Sequence, residues 1–450
     1  MMKNAPRTAL ALGSGILASV LVLSGCATTS TGHSSTQVSQ ATIDKAMKKP
    51  TNLTFWTWVG SITDEVKLFE KKYPAIHVTV VNAGQGGAEY TKLRTVIKSG
   101  QGAPDVAQVE YQELSSFTVT KSLLDVSPYG AASLKSEYAP WVWSQVSSNN
   151  AVYGVPQDSG PMGNLYRTDI LAKAGITSAP TTWAEYATDA AKVKSATGSY
   201  ISDLAPNEAG VVVGLLWQAG VSPFGYDGKK TVTIDVNSPA AKKTMAYWQT
   251  LIQNNDVAVD PDFTDSWYQG LASGQYAGWL TAAWGPLFLQ GTAAKTAGLW
   301  RAAPLPDQTA GDVASGNWGG SSDAVLKSSK NPIAAYELAK FINTNTQSAL
   351  MLTQKQSLFP TNNAVLQSSA FANAKSAFYG GQQVNKLFSQ ISTTVNTKFE
   401  WLPFTDYAYS SFNDTLGDAI AKKGDLSAGL DAWQAALVSY ATQQGFTVKQ

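Results

Sequence analysis

The chain has 450 residues, 44% of them hydrophobic, with 33 Lys+Arg against 32 Asp+Glu and a formal charge of +1. That apolar share suits a globular protein with full-sized cores and excludes a disordered chain. The near-neutral balance gives no reason to expect nucleic acid or another polyanion as a partner.

The first predicted element is a leader. Lys3 and Arg7 precede an apolar stretch over residues 9–23, and Leu23-Ser24-Gly25-Cys26 closes it. A charged start, a short apolar core and small residues at the cut describe a secretory signal peptide, here residues 1–25. The stretch is too short for a comfortable membrane span. Cys26 is the only cysteine in the chain, and its run resembles the lipobox of bacterial lipoproteins. There the thiol receives a diacylglyceryl group and becomes the new N-terminus, so palmitate-type lipidation at Cys26 is expected. Two acyl chains hold a protein at a membrane durably where one holds it marginally. With no second cysteine the chain forms no internal disulfide. Loss of Lys3 and Arg7 leaves 31 Lys+Arg against 32 Asp+Glu, near −1. Residues 26–42, rich in Ser and Thr, read as a flexible tether.

The folded body opens with the alternating, aromatic run over residues 53–58, a predicted strand. A helix follows, with Ser61 as N-cap and Asp64 at the capping-box spacing; Ile62, Val66 and Phe69 share one face and Pro74 ends it. Residues 76–81 form a second strand. A glycine-rich loop over 82–87 leads to a helix with Tyr90, Leu93, Val96 and Ile97 aligned, ended by Gly100. Residues 105–109 form a third strand. Strand and helix alternating this tightly predict a parallel sheet covered on both faces. Ligands then sit beyond the C-terminal strand ends, at residues 58–60, 82–87 and 110–112. The glycine loop lacks the Gly-Lys-Ser/Thr ending of a phosphate-binding loop and reads as a sharp turn. From Trp183 onward helices dominate. Thr182 and Glu185 make a capping box, and Ser238-Pro239 and Asn331-Pro332 pair an N-cap with Pro at N1. A hairpin is expected over 226–235 around Asp227-Gly228, with further strands over 276–282 and 321–326.

Histidine is nearly absent: His33 lies in the tether and His77 on a predicted strand face. No His is placed to serve a Ser or Cys nucleophile, and no His pair can bind zinc. No catalytic residue, metal or cofactor is therefore expected.

Across this body the chain resembles the family 1 extracellular solute-binding proteins, the maltose-binding-protein-like sugar-binding lipoproteins of ABC importers. The resemblance is carried by Phe55-Trp56-Thr57-Trp58, Phe69-Glu70-Lys71-Lys72-Tyr73-Pro74, Gly102-Ala103-Pro104-Asp105-Val106 and Tyr153-Gly154-Val155-Pro156 leading to Leu165-Tyr166-Arg167. It continues through Pro180-Thr181-Thr182-Trp183, Gly319-Gly320-Ser321, Asn331-Pro332 and Ala334-Ala335-Tyr336-Glu337. It implies an α/β, type II periplasmic-binding-protein fold. Each of two lobes is a mainly parallel sheet flanked by helices, joined by a hinge and closing over a ligand. Three crossings are implied, near 157–160, 318–321 and 360–362. The N-lobe is then 43–158 with 321–360, and the C-lobe 159–320 with 361–450. The implied function is a monomeric, lipid-anchored receptor at the outer face of the cell membrane, of Gram-positive rather than periplasmic type. It would deliver a sugar, an oligosaccharide more than a monosaccharide, to ABC permease subunits.

A sugar presents hydroxyls at its rim and flat C–H patches on its faces, which carboxylates, amides and aromatic rings match. Trp58, Gln85, Glu110, Tyr111 and Gln112 lie at the first three strand ends. Asp158 sits at the first crossing. The resemblance places Asn207 and Glu208, at a helix start, among the polar groups of the second lobe. Trp284 and Trp318 are the stacking candidates, and the segment 401–409, with Trp401, Phe404, Tyr407 and Tyr409, matches a further aromatic platform whose ligand candidates are Trp401 and Tyr407. Trp183, Trp248 and Trp433 fall at core spacing in helices. Two rival readings stay open: a receptor for a peptide, iron complex or other non-sugar solute, and a lipoprotein glycoside hydrolase using Glu110 and Asp158.

Overall fold

A strand begins where the first alternating run predicts one. β1 (Thr51–Trp56) pairs in parallel with β2 (Ile76–Val81) on one side and with β3 (Val106–Glu110) on the other. The computed structural model describes residues 37–356 and 358–450, and the signal peptide, Cys26, His33 and most of the tether lie outside them. Within that range the last tether residues are helical. Ser39 caps the helix Gln40–Ala46 through Thr42 N, and Ile43 is buried. Residues 40–42, expected in the tether, therefore belong to the fold, because a side-chain cap and an apolar anchor hold this turn.

A two-residue ladder, β4 (Ser147–Ser148) with β5 (Ala151–Val152), leads into the long β6 (Val155–Arg167). β7 (Phe224–Tyr226) and β8 (Thr231–Ile234) form the expected hairpin, its turn held by Asp227, whose carboxylate accepts the amides of Lys229, Lys230 and Thr231. Then come β9 (Gly278–Ala282), β10 (Trp300–Pro304), β11 (Asn317–Val325) and β12 (Thr447–Lys449), the last parallel to β8. The main sheet runs β10-β6-β11-β3-β1-β2, with β9 also on β6.

β6 and β11 unite two halves. β11 pairs with β3 through residues 321–325 and with the first part of β6 through residues 317–323, with register shifts on either side of residues 320–321. Beyond residue 161, β6 leaves β11 and is flanked by β9 and β10, antiparallel to both. The parallel arrangement thus holds for β1–β3, while the second half is built antiparallel about β6, since one strand running through both halves meets its neighbours head to tail. A third segment joins at the same place: Ser159 N donates to Phe359 O (3.0 Å), and Thr361 Oγ1 donates to Pro156 O (3.1 Å).

Helices pack on these sheets as their apolar spacing predicts. Ile62, Val66 and Phe69 are all buried from helix Ile62–Lys72. Its expected capping box does not form. Ser61 adopts a turn conformation in place of the extended one an N-cap needs, and Asp64 instead pairs with Lys67 and Lys355. Thr182 and Glu185 do form theirs. Trp183 and Trp248 meet edge to face at 5.5 Å, and Trp433 is fully buried, all three in the core. His77 lies on an exposed strand face beside Glu70. No helix among the described residues is long and apolar enough to cross a membrane.

Candidate functional site

Glu110 stands at the C-terminal end of β3, where the buried run Val106–Val109 stops and the backbone turns into helix Tyr111–Val119. Tyr90 OH donates to Glu110 Oε2 (2.9 Å) and accepts from the Glu110 amide (3.0 Å), fixing the carboxylate. Burial pushes its pKa up, and the Tyr90 and Gln112 hydrogen bonds pull it back. Register brings Ser321 of β11 opposite Glu110 and Asp158 of β6 opposite Ser321. Asp158 accepts from Ser321 N (2.9 Å) and from Ser321 Oγ, and Tyr111 OH donates to the Asp158 carbonyl (2.8 Å). Desolvation raises the Asp158 carboxyl to about 6.

From the other half comes an aromatic wall. Trp284 precedes helix Gly285–Thr292, and its Nε1 donates to Trp318 O (3.1 Å), the two rings edge to face at 4.8 Å. Trp318 reaches its position because two glycines leave room. A Cβ on Gly160 would lie 1.9 Å from Trp318 O, and one on Gly210 would lie 2.5 Å from the Trp318 indole. Phe263 completes the wall, 6.4 Å from Trp284 and 6.1 Å from Trp318. It is 38% exposed and holds φ +63°, an uncommon backbone state for a bulky residue. Asn207 fixes this loop by exchanging hydrogen bonds with Asp262 N (2.9 Å) and Asp262 O (3.2 Å).

Glu208 caps helix Ala209–Gln218, its Oε1 accepting from Gly210 N (3.1 Å). Burial, then the Glu110 charge, raise its carboxyl to about 7, against the pull of the Gly210 amide and the Trp318 indole. Tyr409, on helix Thr405–Asn413, has its hydroxyl pKa raised by burial and then by Glu208, Glu110 and Glu113, which places it amid these carboxylates. One turn earlier on that helix, Asp406 pairs with Arg94 Nη1 (2.5 Å), while Arg94 Nη2 bonds Glu113 (2.9 Å). Burial and the neighbouring Asp406 hold Glu113 well above the usual carboxylate range, Arg94 notwithstanding.

The structure therefore brings together Glu110, Asp158, Glu208, Trp284 and Trp318 from the residues the sequence singles out. Gln112 lies beside Glu110. Trp58 is half-buried just past β1, and Gln85 is exposed on a loop whose Gly84 and Gly86 take positive φ. Tyr111 is buried and supports Asp158, and Asn207 supports the Phe263 loop. Trp401 and Tyr407 are placed elsewhere. Trp401 Nε1 donates to Gln145 Oε1 (2.6 Å) and its ring packs on Phe399 at 4.8 Å, while Tyr407 stacks on Tyr440 at 3.8 Å. Trp401 and Phe399 line a cavity of about 760 Å³ with Tyr111, Tyr153 and Tyr226. Phe263, Arg94 and Asp406 are residues here that the sequence reading misses, while Tyr409 stands there as part of the 401–409 platform and not as a ligand candidate. The Asp406–Tyr409 spacing, one helical turn, is the only local signal for any of them.

Residues 56–349 match the model of the family described as bacterial extracellular solute-binding protein. The lactose-binding protein of Rhizobium radiobacter is 28% identical over 296 residues, 62% of this chain and 67% of that protein. The arabinooligosaccharide-binding protein of Bacillus subtilis (strain 168) is 26% identical over 308 residues, 65% of this chain and 69% of that protein. Among solved structures, an ABC transporter associated binding protein from B. animalis subsp. lactis Bl-04, in complex with β-1,6-galactobiose, is 33% identical. It superposes with a TM-score of 0.75 over 89% of this chain and 99% of its own. The galacto-N-biose-/lacto-N-biose I-binding protein of Bifidobacterium longum, in complex with lacto-N-biose, is 27% identical, with a TM-score of 0.77 over 88% of this chain and 98% of its own. The fold is the two-lobed, type II periplasmic-binding-protein fold of these neighbours.

Proposed function

The chain belongs to the bacterial extracellular solute-binding protein family, and we propose that it is the sugar receptor of an ABC importer. One observation carries this: the Glu110 charge acts on Asp158 in its own half and on Glu208 from the other, and Glu208 adjoins the aromatic cluster of Trp318, Trp284 and Phe263. That combination suits a ligand with hydroxyls at its rim and C–H patches on its faces. Relatives named for lactose and for arabinooligosaccharides, and a neighbour holding β-1,6-galactobiose, support a short oligosaccharide as the ligand. The lobes are residues 43–158 with 321–360, extended back to Gln40 by its helix, and residues 159–320 with 361–450. Closure of one on the other is a binding equilibrium: the sugar favours the closed state by contacts it makes only there. The receptor acts as a monomer without catalysis. It is held at the outer face of the cell membrane by diacylglyceryl Cys26 and hands its sugar to the permease.

The test is a thermal-shift panel of mono- and oligosaccharides, amino acids, peptides and ferric complexes on the purified protein. A ligand that binds only the native state raises the melting temperature by mass action. Stabilisation by oligosaccharides alone is expected. Stabilisation by a peptide or ferric complex alone would refute the sugar assignment, and turnover of a labelled oligosaccharide would make the protein an enzyme. Mass spectrometry of the membrane-extracted protein checks the anchor: a mature N-terminus other than an acylated Cys26 refutes it.

A further inference from the structure

Three donor groups at this site, the Arg94 guanidinium and the Gly210 and Ser321 amides, are already held by carboxylates of the chain. Arg94 gives Nη1 to Asp406 and Nη2 to Glu113 and Ser116. The amide at the positive end of helix Ala209–Gln218 is given to Glu208, and the Ser321 amide to Asp158. Among the described residues none of Glu110, Asp158 and Glu208 forms an ion pair, and the charges that raise their carboxyls are those of other carboxylates. What the chain turns toward a ligand is thus a set of acceptors backed by aromatic rings. A hydroxyl or ammonium group can donate into that set. A carboxylate, sulfate or phosphate on the sugar meets like charge there.

Building on the sugar-receptor reading, we propose that the cleft selects uncharged or basic saccharides and excludes acidic ones, and that Glu208 is a principal determinant of that exclusion. Glu208 suits the role because it is fixed at a helix N-terminus, beside the Trp318 indole, on the half opposite Glu110. One like charge about 6 Å away, at an effective dielectric of about 20, weakens binding about a hundredfold.

The experiment is calorimetric titration at pH 8 with matched sets. Lactose, β-1,6-galactobiose and lacto-N-biose are each compared with the C6 uronate, the C6 uronamide and a 2-amino form. A neutral or amino member is expected to bind, with its uronate about a hundredfold weaker and its uronamide close to the parent. In Glu208→Gln the gap between parent and uronate narrows about tenfold, while a thermal melt confirms that the variant is folded. A uronate binding within threefold of its parent overturns the proposal and leaves the sugar reading standing. A uronamide as weak as the uronate also overturns it, since the discrimination is then one of shape. If no saccharide of any class binds, the receptor reading falls and this proposal with it.

Discussion

Glu208→Gln also probes the electrostatics of the empty cleft. The substitution keeps the shape and an oxygen for the Gly210 amide, and it removes only the charge. A carboxyl whose pKa is higher folded than unfolded takes up protons on folding. Its contribution is therefore full below its ordinary 4.5 and is lost as the pH rises through about 7. A rise of that size corresponds to about 3 kcal/mol at most, and solvent reaching the cleft reduces it to about 1–2 kcal/mol. In a chain this long that moves the melting temperature by about 1–2 °C. The quantity to measure is the melting temperature of the variant minus that of the wild type, by scanning calorimetry without ligand. It should rise by about 1–2 °C between pH 5 and pH 8. A difference independent of pH, or one that falls, would show that Glu208 is not a desolvated carboxylate. Sugar affinity should run the other way. Hydroxyls donate best to the ionised group, so wild-type binding strengthens from pH 5 to pH 8 and the variant's strengthens less, Asp158, raised to about 6, still ionising in that range.

The other predictions separate wall, support and core. Trp284→Ala should weaken binding of the preferred sugar by about 1–3 kcal/mol in calorimetric titration while the domain still melts cooperatively, and unchanged affinity would move the cleft elsewhere. Tyr409→Ala should weaken binding. Tyr407→Ala, which only unstacks Tyr440, should leave affinity within about twofold and lower the melting temperature instead. Trp401→Ala should cost about 3–5 kcal/mol of stability in denaturant melts, because the ring is buried against Phe399 and Trp217. Gly160→Ala should displace the Trp318 carbonyl it would overlap, reducing both stability, by about 1–3 kcal/mol, and affinity, and a wild-type titration curve would contradict that.

These outcomes also mark what could be read from the residues in order. Glu110 was legible because strand placement is local: a buried run ends, and the next side chain lies at the sheet's C-terminal edge. Glu208 was legible locally only as a helix-start residue, and it was the family resemblance that put it among the ligand candidates. Trp401 packs on Phe399 and Tyr407 on Tyr440, partners that aromatic content alone does not name. The helix starts only at Thr405, so Asp406 and Tyr409 share the cleft face while Tyr407 turns toward Tyr440. The Arg94–Asp406 pair joins residues 312 apart in sequence, a contact that one sequence without its relatives cannot reveal. Phe263 left no pattern at all, since its exposure depends on a positive φ set by Asn207 from another segment. Local chemistry therefore located the acceptors of the site, and long-range packing chose its rings. Trp318 shows both halves of that division. Gly319 and Gly320, its chain neighbours, take φ +76° and +95°, while Gly160, from a distant segment, leaves no Cβ for its carbonyl to strike.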